Sequence, residues 1–212
     1  SPAGPVAAAN GPVTAISAQP PQTRAVSMAA SLPANYPANY GELTRLFADW
    51  RTFVLPATTD FKPDYSVAAM AAKRAEFPKY MARLKAIDTS GWPKGALIDY
   101  KLVQAEMNGL DFDFRVLMPW ARDPTFYATV FADWSDVPAH EGPYSYPNID
   151  LYQFKYPLNA ADEQTLTAML AAIPANLKAA RVNLKDSNAK GLWLYGDRAF
   201  KEQSEMLSSL AA

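Results

Sequence analysis

The chain has no cysteine and a single histidine, His140, among its 212 residues. Without thiols there are no disulfides, no iron–sulfur clusters, no cysteine nucleophile and no Cys-based zinc site. One imidazole excludes any site that needs two, including the helical zinc-protease motif, within this sequence. An excess of either charge is also missing, since 20 Lys+Arg against 21 Asp+Glu leave a formal net charge of −1. No basic footprint invites nucleic acid, and no strong field steers a charged partner. No apolar run approaches the ~18 residues of a membrane span, so none is expected. No positively charged segment precedes an apolar one at the start, so a signal peptide is not visible. A glycine-rich phosphate loop is absent as well.

What the chain does have is proline and rings: 18 Pro, 5 Trp, 11 Tyr and 10 Phe. A protein of 23.2 kDa is one domain, or one domain plus a tail. A compact chain of this mass buries about 70% of its unfolded surface, enough for a core without staples. Residues 1–37 stand apart, with 7 of the prolines, 10 alanines and one charge, Arg24. Such a stretch buries too little apolar surface to offset the entropy of ordering it, and reads as a flexible leader. Its opening at Ser1, without Met, is what a processed or trimmed chain would show. Residues 38–212 read as the folded body.

The body is helical in pattern. Leu43, Leu46, Phe47, Trp50 and Phe53 form one apolar stripe that Pro56 ends. Asp64-Tyr65-Ser66 offers cap residues for a segment with Met70, Phe77, Met81, Leu84 and Ile87, in which Pro78 predicts a kink or a new start. After the breaker Ser90–Pro93, a helix is expected over Lys94–Val116. Ile98, Leu102, Ala105, Gly109 and Phe112 line its stripe, with Leu97 and Val103 beside it. Met118-Pro119-Trp120 stops that helix. Residues 119–158 carry six prolines and ten rings, and should be mostly ordered loop with a short helix over Thr125–Phe131. Asn159 or Asp162 then caps a long helix through Leu184 that Pro174 kinks or breaks. A last helix starts at Lys190-Gly191. No alternation at period 2 exceeds four residues. The expected fold class is all-α, with five or six helices and long Pro/aromatic-rich ordered loops.

Catalytic groupings are sparse. A Ser-His-acid triad would need His140, which lies in a polar Pro/Gly loop with no serine elbow nearby. Asp111 with Asp113, or Asn148 with Asp150, supply oxygens, but neither sits in a twelve-residue calcium loop. Glu106 and Asp113 pair in sequence as glycosidase carboxylates do, although helix-surface acids are common. Asp123 in Arg122-Asp123-Pro124 suits a helix cap, and Arg122 suits a structural ion pair. The turn at Pro119-Trp120 predicts Glu106 as its partner, partly buried.

One long block is more specific. Ile98-Asp99-Tyr100-Lys101-Leu102-Val103-Gln104-Ala105-Glu106 leads into Arg115-Val116-Leu117-Met118-Pro119-Trp120-Ala121-Arg122-Asp123-Pro124, and Asp136-Val137-Pro138 and Glu141-Gly142-Pro143 follow. Trp50, Phe53 and Pro56, then Ile87-Asp88, Ser90 and Trp92, and finally Ala179–Leu184, keep the same order. Over about residues 40–212 the chain resembles the N-terminal part of the bacterial "domain of unknown function 885" family, whose members resemble thermolysin-like zinc metallopeptidases with a large helical oligopeptidase-type fold. Met118 and His140 depart from that pattern, standing where arginine is common. The resemblance implies an exported, periplasmic or secreted, peptidase-like hydrolase acting on a peptide-like substrate. This chain would be its N-terminal helical part and one wall of the cleft. The zinc motif is expected downstream, in the remainder of the same protein or a second chain, and no catalytic residue carries over.

On that reading the substrate-cleft candidates are Trp120, Trp134, His140, Tyr144 and Tyr146. An alternative is a stand-alone helical binding module whose 119–158 rings form a groove for peptide or carbohydrate. A third reading is a purely structural piece, since rings pack cores more often than they touch ligands.

Overall fold

The computed structural model describes residues 36–131, 145–186 and 190–210. The expected leader therefore lies outside the described residues up to Asn35. The described part is all-α, with five long helices and two minimal strand pairs. Helix α1 spans Tyr40–Val54 and buries Tyr40, Leu43, Leu46 and Trp50, the stripe expected of it. Asn39 does not cap it. Instead its amide donates to the Asp88 carbonyl at 2.7 Å and accepts from Trp92 Nε1 at 2.9 Å, tying the start of α1 to the turn before the third helix.

A two-residue hairpin follows, β1 (Thr58–Thr59) against β2 (Lys62–Pro63), with Thr58 opposite Pro63. Both turn residues have positive φ, Asp60 at 48° and Phe61 at 60°, as a two-residue turn between right-twisted strands requires. Ser66 then caps α2 (Val67–Ala86), its hydroxyl accepting from Ala69 N at 3.3 Å. Pro78 starts no new element, because α2 continues past it. Helix α3 spans Lys94–Phe112 and widens into a π-turn over Asp113–Leu117.

The first core forms where α1, α2 and α3 meet, around Leu46, Trp50, Phe77, Leu84, Ala96, Val103, Met107 and Phe114. The rings of Phe53, Phe77 and Tyr80 surround Trp50. Here α3 departs from expectation. It buries Ala96, Val103 and Met107, while Ile98, Leu102, Ala105, Gly109 and Phe112 are exposed. Two faces of this helix are apolar at helical spacing. The one opposite the large rings of α1 and α2 is the one that packs, with Ala96 small enough to sit in that core.

Helix α4 (Pro119–Arg122), a 3-10 turn over Pro124–Tyr127 and strand β3 (Val130–Phe131) come next. The short helix expected over Thr125–Phe131 is thus one 3-10 turn. Asp123 Oδ1 caps it by accepting from Thr125 N at 2.9 Å and Thr125 Oγ1 at 2.6 Å. The chain beyond it is drawn into parallel pairing with β4 (Ile149–Asp150), Ile149 N donating to Thr129 O at 2.6 Å. A second 3-10 turn covers Leu151–Gln153. Asn159, one of the two expected caps, accepts from the amides of Ala161 and Asp162 at the start of α5 (Ala160–Asn183). Pro174 does not divide α5, and α6 covers Lys190–Leu210.

Two smaller clusters hold this half. Phe126, Tyr127, Ala180 and Leu184 form one, and Val130, Ile149, Leu151 and Met169 the other. Tyr65 and Trp120 pack against both the first core and the Phe126 cluster, so these two rings join the halves of the body.

Candidate functional site: the aromatic junction after α3

The junction begins at the end of α3. Met118 N reaches back to the Asp113 carbonyl at 2.8 Å, and Met118 itself takes a left-handed conformation, φ 44° and ψ 55°. A residue of that hand commonly closes a helix, and it is usually glycine. Pro119 opens α4 with φ preset for a first helical position. The reversal lays the Trp120 indole edge-on against Phe114, ring centroids 5.7 Å apart.

Tyr127 clamps this turn. Its hydroxyl donates to the Trp120 carbonyl at 2.6 Å and accepts from Asn183 Nδ2 at 3.0 Å, linking α4 to the end of α5. Tyr65, just before α2, stands edge-on to Phe126 at 4.9 Å, and its hydroxyl accepts from the Tyr146 amide at 2.9 Å. Ser145 N donates to the Phe126 carbonyl at 2.6 Å. The segment before β4 is therefore held by Tyr65 and by the 3-10 turn.

Burial raises the phenol pKa of Tyr65 and Tyr146, and pushes Tyr127 up to about 12. At neutral pH these phenols are protonated hydrogen-bonding groups. Burial also raises the carboxyl pKa of Asp113 and Asp150. Asp150 is already engaged, accepting from Asn148 Nδ2 at 2.5 Å and from Gln153. As arranged, the junction fixes backbone segments, because the Tyr65 and Tyr127 hydroxyls are bonded to internal partners.

Of the cleft candidates, the structure places Trp120 and Tyr146 at this junction, both half-buried. Trp134, His140 and Tyr144 lie outside the described residues. The expected Arg122–Glu106 pair does not form. Glu106 faces α1, with Arg51 Nη1 3.8 Å from its Oε2, both side chains well exposed. Arg122 donates to the Val116 carbonyl at 2.8 Å. The π-turn and the left-handed Met118 direct the returning chain to the end of α3, short of Glu106, so Arg122 secures a carbonyl of the turn.

Sequence reasoning missed Tyr65, Tyr127 and Asn183. Their signal was weak, since the contacts span 81 and 56 residues of chain. Among the described residues no three His, Cys, Asp or Glu side chains come together to hold a metal. With one histidine and no cysteine in the whole sequence, the donor set does not fit a zinc centre. Comparison with protein-family models, with curated proteins and with solved structures finds no match.

Proposed function

We propose that this chain is the helical N-terminal part of an exported, zinc-peptidase-like hydrolase and builds one wall of its substrate cleft. The zinc site belongs to other residues, and this chain supplies no step that runs through the metal. The reading rests on the resemblance carried by Ile98–Glu106 and Arg115–Pro124. The observation that supports it best is where those segments lie. They form α3, its π-turn, the left-handed reversal at Met118 and α4, the span from which Phe114 packs into the first core and Trp120 against both that core and the Phe126 cluster. A wall needs a rigid frame of this kind, since a cleft must be held within a fraction of an ångström to position a substrate. The free-standing groove reading is less well supported, because the Trp120 carbonyl and the Tyr146 amide are bonded inside the protein.

The test compares the complete natural gene product with the chain described above. The complete product is expected to cleave oligopeptides and to lose that activity to a chelator, with recovery on adding zinc. A photoreactive peptide inhibitor should label residues within 119–158 of the complete product. The 212-residue chain alone should not cleave. A gene product ending near Ala212, or a longer one without chelator-sensitive cleavage, would refute the proposal.

A further inference from the structure

The end of α5 and the start of α6 share one support. Ala180 and Leu184 pack with Phe126 and Tyr127, Phe200 joins the same cluster, and Gly196 lies against Pro124. Further along, Met206 and Leu207 pack with Met169, so the two helices run antiparallel. Several large apolar side chains on these turns stay outside. Val182 is 71% exposed on α5, and Trp193, Leu194 and Tyr195 on α6 are 47%, 76% and 60% exposed. Large exposed apolar groups gathered in one place mark an interaction surface.

The cations around them say what that surface meets. Lys178, Arg181 and Lys185 at the end of α5, and Lys190 and Arg198 on α6, are all exposed. None of the five makes an ion pair among the described residues. Two carboxylates lie in the same span, Asp186 and Asp197. Asp197 is already met by Lys201, whose Nζ lies 2.6 Å from its Oδ2. Surplus positive charge is thus concentrated here, in a chain whose net charge is −1. The sign reverses towards the other end of the pair, with Asp162 and Glu163 in the first turn of α5 and Glu202 and Glu205 further along α6. Helix polarity accounts for Arg181 and Lys185 beside the negative end of α5. It does not account for Lys190, which opens α6 at its positive end, where a cation is locally unfavourable.

We propose that the exposed turns where α5 ends and α6 begins form a peripheral contact site for an anionic phospholipid surface. Trp193 and Tyr195 suit the boundary between headgroups and hydrocarbon. Val182 and Leu194 gain from hydrocarbon, which a nucleic acid would not offer them. The unpaired cations meet lipid phosphates, each contributing about fivefold in affinity near such a surface. The contact is with the surface of the bilayer, and among the described residues no helix is long and apolar enough to cross one. This inference is independent of the hydrolase reading, because neither a zinc site nor a cleft enters it.

Cosedimentation of the 212-residue chain with vesicles tests it. The chain is expected to pellet with phosphatidylcholine vesicles that contain phosphatidylglycerol and to stay in solution with phosphatidylcholine alone. Binding should weaken in about 1 M salt, where the screening length is about 3 Å. Lys190→Glu with Arg198→Glu should weaken it at least about 20-fold. Lys85→Glu with Lys94→Glu, the same charge change at exposed sites on α2 and α3, should change it much less. Leu194→Ser should weaken it about tenfold or more. These side chains are exposed, so the helical circular dichroism of each variant should match the parent. Vesicles with brominated acyl chains should quench tryptophan emission, and Trp193→Phe should lose most of that quenching. A chain that pellets with neither vesicle, or equally with both, overturns the proposal. So does binding that survives the Lys190 and Arg198 reversal or leaves Trp193 unquenched. Capture of an oligonucleotide without vesicle binding overturns it as well and reassigns the cations.

Discussion

Adding one methyl group at Gly196 is expected to destabilise the protein, against the usual preference of a helix for alanine. Gly196 is buried within α6, where that helix crosses the 3-10 turn. A Cβ there would lie 2.6 Å from Pro124 Cβ and 3.2 Å from its Cγ. Carbon atoms rest about 3.5–4.0 Å apart, so the clash is close to 1 Å deep. Pro124 has little freedom to yield, since its φ is fixed by the ring and Asp123 caps the turn it opens. Alanine contributes about 0.8–1 kcal/mol of helix propensity over glycine. Overpacking a fitted contact costs about 1–3 kcal/mol. Gly196→Ala should therefore lose up to about 2 kcal/mol. The control is Gly109→Ala, the same chemical change where nothing lies within 4 Å, which should gain about 0.5–1 kcal/mol. Urea unfolding followed by tryptophan fluorescence reads both midpoints. Shifts of opposite sign are expected. An equal gain in both variants would mean that α6 does not press on Pro124 and that the junction is looser than described.

Tyr127→Phe removes the hydroxyl shared by the Trp120 carbonyl and Asn183 Nδ2, and should cost about 1–3 kcal/mol at neutral pH, measured by the same unfolding assay. The same phenol has its pKa pushed up by burial to about 12. A folded-state pKa above the unfolded value of 10.0 gives stability that is full below pH 10 and lost as pH rises towards 12. Stability should thus fall on that alkaline limb, less steeply in Tyr127→Phe, and an identical slope in both proteins would refute the assignment. At Met118, φ 44° sets side chains apart by shape: Met118→Ile should cost about 1–2 kcal/mol, whereas Met118→Gly should be near neutral by thermal unfolding.

Helix positions were largely legible, because the signals are local. Pro56, the Ser90–Pro93 breaker, the Ser66 and Asn159 caps and the stop at Met118-Pro119 each act within a few residues of where they sit. The choice of face on α3 was not legible. Val103 and Met107 lie at the same period as Leu102 and Ala105, and only the arrival of Trp50 and Phe77 from other helices decides which pair is buried. The strand pairing of Val130 with Ile149 was hidden for a similar reason. Two residues are too few for alternation to register, and the partner lies nineteen positions on. Glu106 and Arg122 were paired on charge and a turn alone. The turn's actual shape, a π-turn closed by a left-handed methionine, has no signature in residue type, since glycine is what that position would favour.

Among the described residues, several departures from local preference gather at this junction, aside from the positive-φ hairpin turn at Asp60-Phe61. A π-turn replaces the last turn of α3 at Asp113–Leu117, a methionine adopts the left-handed conformation at 118, and a glycine sits inside α6 against Pro124. Each is unfavourable by itself, and each is held by something around it. The π-turn and Met118 are fixed by the Asp113 carbonyl, the reversal by Tyr127 on Trp120, and the glycine by the close crossing it permits. Local rules broken together at one place mark positions that the surrounding structure over-determines, and natural proteins concentrate them at strained or functional sites. This clustering singles out the junction without using the resemblance, whose densest motifs fall across the same residues. If the junction frames a cleft, its own side chains hold the geometry, and contacts with substrate fall to half-buried neighbours such as Trp120 and Tyr146. Variants at Tyr127 or Gly196 should then alter stability well before they alter any binding preference, while changes at Trp120 should alter both.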